Sequence, residues 1–355
     1  MRPQAMEYKS MISQLRQCFV SGSAVAVLAT LCLSPALAAT PEQDFAARCA
    51  AAGVVKCVGF DNTTTDIVRG QNLSADGQGQ YRARLDQSMK ASGAGSLVFE
   101  LPPPPHAGAN IAGNWYTTGP TGMGAMFSEN STFYVQFRMR LSPEMLNNSW
   151  DSFWKTILFH YNTQTCGSIE LATVNQYLSG RPFMYTDCGA RHMTTTLDGS
   201  RPTMDTPLLL QQGDFKCQYG QVNAQTCLFF VPNEWVTFYY KVHVGTWDQP
   251  NSMIEAWISR EGSSQYQQWI RVPNFSLSCN TDPCSQQPGK SQGYNNLTIT
   301  PYMTSLSPSS GKAGVVSRIW FDELIVSTQP IAAPGAGVAV ADTLPPAAPT
   351  GIRAQ

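Results

Sequence analysis

Residues 235–244 read WVTFYYKVHV. Val236, Phe238, Tyr240, Val242 and Val244 fall on one side, and Thr237, Tyr239, Lys241 and His243 on the other. A period of two with one apolar side is the pattern of a half-buried β-strand. Residues 133–140, FYVQFRMR, repeat it, with Val135, Phe137 and Met139 opposed to Tyr134, Gln136, Arg138 and Arg140. So do residues 253–259, MIEAWIS. Outward from these, further strands are expected at 54–60, 96–101, 154–160, 169–175, 297–303 and 318–327. Clusters of Gly, Pro, Asn and Ser, such as Pro102 to Pro105, separate them. Only residues 42–52 and 142–147 suggest helices, both short. Many strands without βαβ alternation or a fixed repeat predict an all-β, antiparallel β-sandwich.

The ends of the chain differ from this body. Residues 19–38 form an apolar run preceded by Lys9 and Arg16 and closed by Ala36-Leu37-Ala38. That is the layout of a signal peptide, so residues 1–38 are expected to be a leader and the product secreted or periplasmic. No later stretch is long and apolar enough for a membrane span. Residues 39–332 are expected to form the sandwich, and the Ala/Pro/Gly-rich residues 333–355 a flexible tail. Acidic residues exceed basic ones by one, 24 to 23, which excludes the electrostatic footprint of a nucleic-acid binder. A monomer is expected. Eight cysteines follow the leader, and in an oxidising compartment an even count predicts disulfides. Closeness along the chain favours Cys49–Cys57, Cys166–Cys188, Cys217–Cys227 and Cys279–Cys284.

Three stretches, YVQFRMRLSPEML, WVTFYYKVHVGTWDQPNSMIEAWISREG and RIWFDELIVSTQPI, resemble the concanavalin A-like lectin/glucanase superfamily. Within it they are similar to secreted bacterial jelly-roll proteins grouped with polysaccharide lyases. The resemblance covers roughly residues 50–330. It implies two curved sheets with a concave face able to hold a glycan, and a final strand lying beside the first. FYYKVHVGTW is loosely similar to the Y-F-K-A-G-x-Y-x-Q signature of alginate-lyase jelly rolls, with Trp247 in place of the distal Tyr. Their Q-I-H signature is absent. In related jelly rolls a calcium ion ties the first and last strands together. The resemblance therefore implies a structural calcium, with Asp322 and Asp61 as its candidate ligands.

The superfold hosts several chemistries, so function rests on the site. A retaining glucanase needs paired carboxylates, yet Glu170 and Glu255 stand singly on their strands and E-x-D-x-x-E is absent. A polysaccharide lyase acting on a uronate-containing glycan needs a group to neutralise the carboxylate and an acid/base. Gln136 and Arg138 are candidates for the first role, and Tyr239 or His243 for the second, with Lys241 lowering the base's pKa. His160 ends its strand on the side of Trp154 and Thr156 and is a reserve base. Trp115, Trp154, Trp257 and Trp320 offer rings for stacking on sugars, although burial in the core accounts for most of them. A non-catalytic glycan-binding or surface module of the same fold is the alternative, since any solvated sheet face shows outward polar residues.

Overall fold

A computed structural model describes residues 39–62, 71–72, 83–106, 108–109, 111–116, 122–162, 170–176, 180–187, 208–209, 215, 227–247, 249, 251–275, 277, 293–303 and 306–336. The expected leader, residues 337–355 of the expected tail and five of the eight later cysteines lie outside this set. Cys227 is described and is disulfide-bonded. Cys166, Cys188, Cys217, Cys279 and Cys284 lie outside the described residues.

Two antiparallel sheets make up the body. The first runs β13 (Gln267–Phe275), β12 (Ser252–Ser259), β11 (Val236–His243), β6 (Thr132–Leu141), β15 (Ser317–Ser327), β4 (Ser96–Leu101) and β3 (Arg84–Asp86). β1 (Val54–Val58) pairs with the second half of β15, while β4 pairs with its first half. The last strand thus lies beside the first, as the sequence motifs imply. A bulge between Asp322 and Ile325 separates the two halves, and Glu323 within it has φ 52°. The second sheet runs β10 (Leu208–Leu209), β9 (Arg181–Asp187), β8 (Glu170–Gln176), β7 (Trp154–His160), β14 (Asn296–Ile299), β5 (Asn114–Tyr116) and β2 (Gln71–Asn72).

The apolar sides of the alternating strands meet between the sheets. Phe133, Val135, Phe137 and Met139 of β6 and Phe238, Tyr240 and Val242 of β11 are buried in one core with Trp154, Ile157 and Phe159 of β7. Rings cross the interface, with centroids 5.7 Å apart for Phe133–Phe159 and 5.4 Å for Phe159–Tyr240. The Tyr240 hydroxyl, which alternation drives into the core, is paired with Thr173 Oγ1 at 2.9 Å. Each such buried ring contributes about 2–3 kcal/mol of apolar transfer. Trp115 and Trp154 belong to this core and are unavailable for sugars.

Both expected helices form. α1 (Pro41–Cys49) begins with a capping box in which Thr40 and Gln43 satisfy each other's backbone N–H groups. Glu42 and Asp44 in its first turn and Arg48 in its last complement the helix dipole. The Cys49–Cys57 disulfide ties its end to β1. α2 (Pro143–Asn147) is capped by Ser142, whose side chain accepts from the Met145 N–H.

β9 and β13 are formed by segments not marked as strands in the sequence. β9 opens Arg-Pro behind Gly180, and β13 carries Pro273, both of which read as turn chemistry. An edge strand tolerates proline because its outer N–H row needs no partner, and β13 is an edge.

Candidate functional site

Five of the six expected catalytic residues share the outer side of the first sheet. β6 and β11 are neighbours, and their register sets Gln136 opposite Tyr239, Arg138 opposite Thr237 and Thr132 opposite His243. Arg138 and His243 are six positions apart along this register, roughly 20 Å. They cannot act on one sugar.

This face is also covered. α1 and residues 331–336 lie over its middle. Gln136 is fully buried, and its Oε1 accepts from Arg48 Nη1. Its Nε2 donates to the Tyr266 hydroxyl at 2.5 Å and to the Ala332 carbonyl at 2.8 Å. Arg48 also reaches Glu323 at 2.5 Å and Asp44 at 2.9 Å. Asp44 in turn accepts from the Gly335 N–H at 3.0 Å, so residues 333–336, expected to begin the tail, pack onto the sandwich. Tyr239 is stacked between Tyr134 and Tyr266, and its hydroxyl accepts from the Ile331 N–H. Burial pushes the Tyr266 hydroxyl's pKa up. Arg138 lies 3.6 Å from Glu323 and over the Trp235 ring. Lys241 and Arg271 both face Glu255, at 3.3 and 3.4 Å. His243 is paired with Thr132 at 3.0 Å, and desolvation with the nearby Lys241 charge lowers its pKa. A glycan reaching the Gln136 amide has to displace α1 and residues 331–336.

The two candidate metal ligands also have other work. Asp322 is fully buried. Its Oδ2 accepts from the N–H groups of Ala91 and Ser92, at 2.7 and 3.2 Å, and its Oδ1 from Glu323 N–H at 2.7 Å. Burial, opposed by these amides, leaves its pKa pushed up to about 8. Asp61 Oδ1 accepts from the N–H groups of Ala94 and Gly95. Both carboxylates therefore hold residues 91–95 through N–H donors. Three of their four carboxylate oxygens accept from backbone N–H groups. Among the described residues no cluster of three or more His, Cys, Asp and Glu forms.

His160 lies in the second sheet, apart from the other five. Strict alternation puts it on the side of Trp154, but Trp154 is in the core. A bulge between Lys155 and Ile157 shifts the register, so Lys155, Leu158 and His160 share the outer side. Ala172 of β8, Phe183 and Tyr185 of β9, and Asn296 and Thr298 of β14 face the same way, because Leu171, Met184, Leu297 and Ile299 between them are in the core. Lys155 Nζ sits 5.4 Å from the centre of the Tyr185 ring and 5.0 Å from that of Tyr302. At the other end of β7, His160 Nε2 pairs with Thr298 Oγ1 at 2.8 Å. Asn296 is its register partner on β14, and Glu170 is one step beyond the Leu171–Phe159 pair on β8. Burial lowers the His160 pKa to about 4, so its imidazole is neutral at pH 7. The following turn is fixed by reciprocal hydrogen bonds between Asn162 and Asn295 and by Asn296 donating to the Asn162 carbonyl.

Lys155, Tyr185 and Tyr302 were not legible as a group in the sequence. Lys155 is in an expected strand, but its parity depends on the bulge. Tyr185 belongs to a strand that turn residues disguise.

The fold is similar to that of known structures. The marine PL-14 alginate lyase from Aplysia kurodai superposes with a TM-score of 0.52 at 10% identity, over 78% of this chain and 99% of that one. The fold is a concanavalin A-like jelly roll. The alginate lyase vAL-1 from Chlorella virus aligns at a TM-score of 0.41 and 9% identity, over 69% of this chain and 89% of that one. The cellulose-induced protein Cip1 aligns at 0.40 and 15% identity, over 78% and 99%. No family model matches the sequence. No curated protein matches it either. Among the described residues no helix is long and apolar enough to cross a membrane.

Proposed function

We propose that the protein is a secreted polysaccharide lyase that cleaves a uronate-containing glycan by β-elimination, and that it works on the outer face of its second sheet. The observation that carries this reading is the Lys155 ammonium held between the Tyr185 and Tyr302 rings. The leader-like residues 1–38 and the Cys49–Cys57 disulfide support export.

Elimination removes the proton alpha to the uronate carboxylate. The electron pair forms a carbon–carbon double bond, the bond to the 4-linked oxygen breaks, and that oxygen takes up a proton. The barrier is set by negative charge developing on the carboxylate, which a fixed cation stabilises. Lys155 supplies that cation. A tyrosine hydroxyl beside it takes the carbon-bound proton and returns one to the leaving oxygen. His160 stands roughly 14 Å along the strand, too far to serve the same sugar. Its neutral ring is buried and paired with Thr298.

The test is incubation with a panel of uronate polymers, following ultraviolet absorbance from the new double bond. Lys155→Ala and Tyr185→Phe are each expected to cut turnover by about 10²-fold. Circular dichroism melting checks that they stay folded. Retained glycan binding without any absorbance change in the wild type identifies the protein as a binding module instead.

A further inference from the structure

Three large apolar side chains are exposed among the described residues: Met126, Phe153 and Val231. Phe153 is the one aromatic among them, 40% exposed. Isolated exposed apolar residues are ordinary, so exposure alone says little. Its position says more. Phe153 directly precedes β7, two residues from Lys155. Its ring meets Phe183 at 5.3 Å and 85°, an edge-to-face contact. Phe183 is buried and lies two residues before Tyr185, on the same outer side of β9. The exposed ring is thus propped by a fixed one, in line with the tyrosines around Lys155.

Sugar rings present C–H faces that pack on aromatic rings, and such contacts orient a glycan without needing charge. From Phe153 to His160 the chain spans roughly 20 Å, longer than one sugar needs. We infer that Phe153 is a sugar-binding platform next to the Lys155 position, so that the face holds several consecutive units and the substrate is an internal stretch of a long polymer. This rests on the lyase reading for the identity of the neighbouring position, but the platform itself is testable by binding.

Two measurements separate the claims. In the first, Phe153→Ala, Phe153→Trp and the control Met126→Ala are run through gels containing an acidic polysaccharide. Phe153→Ala is expected to lose roughly three- to tenfold in apparent affinity, with retention restored by Trp and unaffected at Met126. In the second, kcat/KM is compared on polymer and on the shortest cleaved oligosaccharide. The loss in Phe153→Ala is expected to be three- to tenfold larger on polymer, chiefly in KM. Wild-type retention by Phe153→Ala, or equal losses on both substrates, overturns the platform while leaving the lyase reading intact. Loss of retention in a protein that cleaves no uronate sinks the lyase reading and leaves the platform standing.

Discussion

The outer faces of the two sheets carry similar polar inventories and have different fates. On the first, Gln136, Arg138, Tyr239, Lys241 and His243 are presented by strands of regular alternation. The middle of that face is closed by α1 and residues 331–336, and its polar groups are spent on Arg48, Glu323, Tyr266 and backbone partners. On the second, a bulge gathers Lys155 onto the side of His160 and leaves its ammonium between two rings. The outward polar groups of the first face are thus tied into the structure by long-range partners, whereas Lys155 is set against two aromatic rings.

The sharpest way to break this contrast is Arg48→Ala. It strands the Glu323 carboxylate and the Gln136 amide in a buried site. A loss of about 3–5 kcal/mol in unfolding free energy is expected, measured by denaturant titration. If the first face were instead the working face, this variant would lose glycan chemistry with little change in stability.

A second prediction concerns pH and the other face. His160 has a folded-state pKa of about 4, below its ordinary 6.5. The unfolded chain therefore binds its proton more readily. The stability this group contributes is complete above about pH 6.5 and is lost as pH falls toward 4, by about 3 kcal/mol in all. His160→Gln is expected to flatten that part of the stability profile. An unchanged slope would mean the imidazole is not buried in the neutral form.

The smallest effect returns to α1. Thr40→Ala removes the capping box and is expected to cost about 1 kcal/mol, visible as faster hydrogen exchange at residues 42–44. Weaker protection spreading to residues 331–336 would show that the two chain ends cover the first face as one unit.

Much of the fold was legible because its signals are local. Period-two alternation marked β6, β11 and β12 and gave the inward and outward sides of β6 and β11. Residues 42–52 and 142–147 were legible as short helices, whose caps are Thr40 and Ser142. The spacing of Cys49 and Cys57 gave their bridge. The candidate site was less legible. A single bulge inverted the parity of Lys155, and Pro182 disguised the strand that carries Tyr185.

Sequence by itself determined that this chain builds amphipathic strands and must bury one side of each, because side-chain direction along a strand follows from the backbone pleat alone. Only the tertiary structure decided what each outward side meets. Arg48 meets Gln136 and Glu323 across separations of 88 and 275 residues, and Lys155 meets Tyr302 from a different part of the chain. Contacts of that range leave no periodic trace, since they depend on where whole strands and chain ends come to rest.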